Sequence, residues 1–239
     1  MNRTGLFIAL ALALAVGLVF GIYPELDLRL AALFYDSATK SFPLKLNMLA
    51  AFARDGAMWI AWGIALPAIV ALVIKLARPD QPLLISGRAM VFLLVTLILS
   101  AGILTNLTFK SYWGRPRPVV VTQFNGDSAF VPWWDPRGGC GRNCSFFSGE
   151  GATAFGIVTS VLRMAFGGHF FTDVAAAGLV TFLVIWLAYG YIYRWPSTRM
   201  TDAGIDAALT RFAWPGYAFV QRLLGRPVPA KPAEPVSEQ

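Results

Sequence analysis

His169 is the only histidine in a chain of 239 residues, and it stands in the stretch RMAFGGHFFTD, residues 163–173. Five residues separate it from Arg163 and three from Asp173. Imidazole is nucleophilic near neutral pH. A carboxylate one helical turn away, at i+4, can accept a proton from one ring nitrogen and leave the other exposed. Gly167 and Gly168 are expected to end one helix, so that His169 opens the next. A lone histidine is usually structural, but a histidine, an aspartate and an arginine together at a membrane edge point to chemistry.

Two further clusters carry groups suited to a phosphate. KSYWGRPRP places Lys110 and Arg117 with six residues between them, and Pro118 biases Arg117 to an extended backbone. Taken alone, such cations can also snorkel to lipid phosphates without catalysing anything. SFFSGEGATAF puts Ser148 and Gly149 just before an apolar run, with Ser148 as an N-cap. The unpaired amides and positive dipole of a helix start can receive a phosphate oxygen, while Glu150 in the first turn equally suits the dipole.

The elements that must position these clusters are membrane helices. The chain is 56% hydrophobic and 14% charged, with a mean hydropathy of +0.59, which excludes an ordinary soluble domain. Apolar runs cover about 5–23, 57–75 and 89–108, another starts near Phe147, and one more covers about 174–193. The expected fold is all-α, a polytopic membrane helix bundle with about five spans. The first run follows a basic MNR but lacks a small-x-small cleavage site, so it reads as a retained helix. The net charge of +7 lies in loops flanking the membrane and forms no dense run, so topology explains it better than nucleic acid.

With the amino terminus inside, about 24–56 and 109–146 lie outside and 75–88 inside. LDLRLAALF and LNMLAAFAR read as short amphipathic helices on the membrane surface, with structural roles. Residues 1–195 form the membrane domain; 196–239 read as a cytoplasmic interfacial helix interrupted at Pro215, with a disordered Pro-rich end. Cys140 and Cys144, in CGRNC on the outside, are a disulfide or two free thiols, and do not make a zinc site.

Together the three clusters resemble the signature of the type 2 phosphatidic acid phosphatase superfamily: Lys with six residues to Arg-Pro, then Ser-Gly-His, then Arg with five residues to His and three to Asp. The resemblance covers about residues 57–195, and the local text looks most like the bacterial branch that includes lipid A 1-phosphatases. It implies a six-helix core and a metal-independent hydrolysis through a phosphohistidine, with no cofactor. His169 would attack phosphorus, oriented by Asp173; Lys110, Arg117, Arg163, Ser148 and the Gly149 amide would cradle the phosphate. The absence of clustered carboxylates or further histidines agrees with a metal-free site. The implied substrate is a membrane lipid, lipid A 1-phosphate first, with undecaprenyl diphosphate or phosphatidylglycerol phosphate as alternatives. The implied location is the bacterial inner membrane, with the site facing the periplasm. A silent lipid-phosphate binder is the reading from another class, and the oligomeric state stays open.

Two departures stand out. Glu150 occupies the place of the family's general-acid histidine; it would serve if its site kept it protonated, or the leaving group would need little acid help. Only fourteen residues separate Ser148 from Arg163, and as a straight helix they would rise roughly 22 Å, setting motifs two and three at opposite faces. Five spans also place the basic tail outside, against the positive-inside tendency. The chain is therefore expected to be short by about 25–40 residues, one helix and its loop, between about Ala154 and Ser160.

Overall fold

The computed structural model describes residues 3–141, 143–148 and 156–232. The fold is all-helical, with no strand among the described residues. In chain order the helices are α1 (Arg3–Ile22), α2 (Glu25–Ala32), α3 (Met48–Ala77), α4 (Gly87–Tyr112), α5 (Gly156–Ala165), α6 (Phe171–Arg194) and α7 (Asp202–Leu223). Among the described residues four are long and apolar enough to cross a bilayer: α1, α3, α4 and α6. Their exposed side chains, such as Phe7, Leu14, Trp59 and Leu107, are those a lipid surface tolerates.

Four of the five expected apolar runs thus appear as candidate spans. Of the run starting near Phe147, the described residues hold α5, ten residues long. LNMLAAFAR is not a separate surface helix but falls largely in the opening turns of α3. LDLRLAALF does form a helix, α2, in which Asp27 and Ala31 are buried. Pro215 does not interrupt α7, which runs continuously through it. Residues 233–239 of the Pro-rich end lie outside the described residues.

The chain forms two compact units, Met1–Ala61 with Thr96–Trp186, and Trp62–Val95 with Leu187–Gln239. The first holds two aromatic cores. Phe42, Val121, Phe124 and Phe170 pack around Ala31, while Phe146 and Phe147 pack on Ala177 with Phe109, Trp113 and Trp133. In this unit Ile98–Phe109 of α4 is wound as a π-helix. Thr105, Asn106, Thr108 and Ser111 each return a side-chain hydrogen bond to the carbonyl five residues back, matching that wider turn and leading directly into Lys110.

The second unit is built on Ala68, Ala71 and Met90, against which Ile205 and Leu209 of α7 pack. The buried Lys75 ammonium donates to the carbonyls of Pro79 and Gln81 and pairs with Asp206 at 3.0 Å. Asp202 accepts from Ser86 Oγ and the Arg88 amide, both at 2.8 Å. A charge buried this deeply is tolerable only when paired and hydrogen-bonded, so these contacts fix α7 on this unit.

Candidate active site

The chain approaches His169 through a helix end that its two glycines shape. α5 stops at Ala165; Gly167 takes φ +64, its amide donates to Met164 O, and the Gly168 amide donates back to Arg163 O. This paired closure is the Schellman arrangement, and it needs a residue that tolerates the left-handed region. It turns the chain so that Arg163, on the last turn of α5, reaches back to His169: Nη2 lies 3.4 Å from Nε2. The expected helix break at Gly167 and Gly168 is therefore where it was read.

α6 starts two residues after His169, and two carboxylates occupy its amino end. Asp173 accepts the Phe170 amide at 2.8 Å, and Asp27 of α2 accepts the Thr172 amide at 3.1 Å. Both satisfy amides that a helix start leaves open and sit at the positive end of its dipole.

Between them lies Arg115, fully buried. It donates to Asp173 at 2.6 Å, to Asp27 at 2.8 Å, to Thr172 Oγ1 at 2.8 Å and to Val131 O at 2.9 Å. The guanidinium also stacks over Phe170, 4.3 Å from the ring centroid. Asp27, Arg115 and Asp173 are at most 1% exposed, a closed ion triad.

The geometry changes one expectation. Asp173 Oδ2 is 3.9 Å from His169 Nδ1 and accepts instead from Ser145 Oγ and Phe170 N. The hydrogen bond at Nδ1 is made with the carbonyl of Ser145, at 2.6 Å. The reason is saturation: Arg115, Ser145 and the Phe170 amide already use the Asp173 carboxylate. A carbonyl can only accept and a guanidinium can only donate, so the proton sits on Nδ1 and the lone pair of Nε2 faces Arg163.

His169 is 1% exposed. Burial first, and then the positive charges of Arg163, Arg117 and Lys110, hold it well below the usual imidazole value, against the opposing pull of the Ser145 carbonyl. The ring is thus neutral, and all three cations singled out in the sequence bear on it. Arg117 has the extended backbone expected before Pro118, with φ −77 and ψ 153, and donates to Asn143 through Nε and Nη2. Ser148 is buried, and its amide donates to Asp173 O at 3.4 Å.

Motifs two and three therefore meet at one site instead of lying on opposite faces: Ser145 bonds both His169 and Asp173, and the Ser148 amide donates to the Asp173 carbonyl. Gly149 and Glu150, and the capping role read for Ser148, concern residues outside those described. Cys140 and Cys144 form a disulfide. Among the described residues no three His, Cys, Asp or Glu side chains converge as a metal site would require. An apolar groove of about 400 Å³, lined by Leu12, Val16 and Gly17 of α1, by Trp133, and by Thr172 and Leu179 of α6, runs beside Thr172.

Arg115, Asp27, Ser145 and Asn143 were not singled out in the sequence. Arg115 left a faint signal as the first cation of GRPRP, whereas Asp27 is one of three charges in the short helix ELDLRLAA and nothing local set it apart. The Ser145 carbonyl left none, because a backbone acceptor has no residue-type signature.

The chain is 30% identical to a lipid A 4'-phosphatase of Francisella tularensis subsp. novicida over 223 residues, covering 81% of this chain and 98% of that protein. The chain belongs to the lipid A phosphatase family. Lipid A 4'-phosphatases of Rhizobium leguminosarum and Rhizobium etli are 32% and 33% identical over 113 and 112 residues, 37% of this chain in each case and 48% and 44% of those proteins. No family model matches, and no solved structure matches. A lipid A phosphatase is a phosphate-ester hydrolase working on a membrane lipid, in keeping with the candidate spans.

The alignments also bear on chain length. The 223 aligned positions use 81% of 239 residues, about 194, so about 29 face gaps in this chain. The 113-position alignment uses 37%, about 88 residues, and leaves about 25.

Proposed function

We propose that this protein removes a phosphate from lipid A through a covalent phosphohistidine at Nε2 of His169, without metal or cofactor. The observation that carries the chemistry is the pair of contacts on the imidazole. The Ser145 carbonyl holds the proton on Nδ1, and Nε2 faces Arg163. In the first step the Nε2 lone pair bonds to phosphorus, the P–O bond to the sugar breaks, and the sugar oxygen takes a proton from Glu150. In the second, water attacks phosphorus and gives a proton to the Glu150 carboxylate, the P–N bond breaks, phosphate leaves and neutral His169 and protonated Glu150 return. Lys110, Arg117 and Arg163 balance the charge on the equatorial oxygens, with Ser148 and the Gly149 amide completing the cradle.

The position favoured is the 4'-phosphate, because the relatives are lipid A 4'-phosphatases, in place of the 1-phosphate to which the local motifs pointed. A 4'-phosphate leaves from a secondary alcohol, a poorer leaving group than an anomeric oxygen, and this gives Glu150 a task as acid. The groove along α1 and α6 would take an acyl chain of the substrate.

The disulfide supports a site facing the periplasm from the inner membrane, since such bonds persist in oxidising compartments. The four candidate spans among the described residues are an even number and return both ends to one side, which supports placing Lys75, Arg78, Arg194 and the segment 196–239 in the cytoplasm together. The test is phosphate release from lipid A, with products separated by mass spectrometry, for wild type and His169→Ala. Loss of the 4'-phosphate, abolished in the variant, blocked by vanadate and insensitive to chelator, is expected. Turnover of no lipid phosphate would leave the lipid-phosphate binder.

A further inference from the structure

The segment before Ser145 is stitched to the segment that carries Arg117. The Cys140 amide donates to Gly114 O at 3.0 Å, and the Ser145 amide donates to Arg115 O at 2.8 Å. Between those two stitches the Cys140–Cys144 disulfide closes a small ring, and Asn143 within it takes the left-handed backbone, φ 54. Glycines allow this closeness: a Cβ on either Gly114 or Gly138 would collide with the backbone of the other.

Asn143 faces Arg117 with two acceptors. Its carbonyl receives Arg117 Nε at 3.1 Å and its Oδ1 receives Nη2 at 2.7 Å. A guanidinium is a planar fork with five donors, so two bonds along one edge fix its plane and leave the remaining donors aimed together. An arginine held this way has already lost the rotamer freedom it would otherwise lose on meeting an anion, and binding is stronger by that amount. Asparagine tolerates the left-handed region through its short polar side chain, which lets both acceptors point the same way.

From these contacts we infer that Asn143 is a positioning residue for Arg117, and that the Cys140–Cys144 disulfide makes oxyanion binding at this site depend on the oxidation state of the pair. Reduction by a phosphine breaks the S–S bond, leaves two thiols, and converts the phosphine with one water to its oxide. The ring opens and Asn143 is no longer held opposite Arg117. The Ser145 stitch to Arg115 does not pass through the disulfide, so the hydrogen bond to His169 survives. The inference rests on the reading that Arg117 faces the substrate phosphate.

The experiment is calorimetric titration of tungstate, a phosphate mimic, into the full chain in detergent. Four samples are compared: oxidised, reduced with a phosphine and desalted without oxygen, Asn143→Gly, and Asn143→Gly reduced. Asn143→Gly keeps the backbone carbonyl and tolerates the left-handed φ, and removes the side chain with its acceptor Oδ1. Reduction and the substitution are each expected to weaken tungstate about tenfold, the effect of loosening one charge-assisted contact. Their combination should fall short of the product, because both act through Arg117. Unchanged affinity in the reduced and Asn143→Gly samples would overturn the inference while leaving the anion site in place. Failure of the oxidised wild type to bind tungstate would overturn both. Weakened tungstate binding in a protein that turns over no lipid A would sink the substrate assignment and leave this inference standing.

Discussion

The carbonyl oxygen of Ser145 lies 2.6 Å from Nδ1 of His169, while the carboxylate of Asp173 stands 3.9 Å away and is held by Arg115. The imidazole is thus oriented by the backbone, and the aspartate serves a buried ion triad that joins α2 to the start of α6. This division separates two kinds of variant. Ser145→Ala removes only the hydroxyl bond to Asp173 and keeps the carbonyl, so activity should stay within about tenfold of wild type. Asp173→Ala or Asp27→Ala leaves Arg115 buried with too little countercharge, at a cost of about 3–5 kcal/mol. Thermal melting in detergent should show the large loss for the two aspartates and a small one for the serine.

The pH dependence follows from His169. Its folded value is depressed below the unfolded one, so on acidification an unfolded chain takes up a proton that the native site refuses. Stability should therefore be fully present above the unfolded value of about 6.5 and should fall as pH drops through it toward the folded value. The acid limb of kcat/KM assigned to His169 should likewise lie well below 6.5, and Lys110→Met should move it upward by removing one of the charges that depress it. A limb near 6.5 that ignores Lys110→Met would contradict this electrostatic picture.

Glu150 is assigned the leaving-group proton by its place in the sequence. Glu150→Gln should slow a substrate that expels an alkoxide far more than one that expels a phosphate from a diphosphate, since the latter needs little acid help. Measuring both substrates on one preparation decides it. Equal slowing would remove Glu150 from that role.

Much of this was legible in the sequence, for a physical reason. Helix propensity, hydrophobic length and the Gly-Gly stop are local, so the membrane helices, the break before His169 and the extended Arg117 could be read directly. The cations Lys110, Arg117 and Arg163 announced themselves by residue type and spacing. Asp27 could not, because it lies 88 residues from Arg115 and nothing local says that α2 is buried. The Ser145 carbonyl belongs to the backbone and carries no signature at all. The rise of a straight helix between Ser148 and Arg163 misled for a related reason: a rise constrains separation only if the interval is straight, and its two described ends come together around Asp173 and His169.

The relatives also differ in length from this chain. The alignments leave about 25–29 of their positions unmatched, close to one helix and its turn. If this segment exists in the native protein, the intact mass of material isolated from its own membrane should exceed 26.0 kDa by that many residues. We expect the heavier species; a mass of 26.0 kDa would show that the site closes without it.

The most direct test of the central claim is to trap the intermediate. Wild-type protein is mixed with lipid A labelled with ³²P, quenched in alkali, digested and mapped by mass spectrometry. The account predicts label on the peptide containing His169, stable in alkali and lost in acid as a phosphoramidate is, and absent from His169→Ala. Turnover of lipid A with no label on His169, or label retained in His169→Ala, would contradict it.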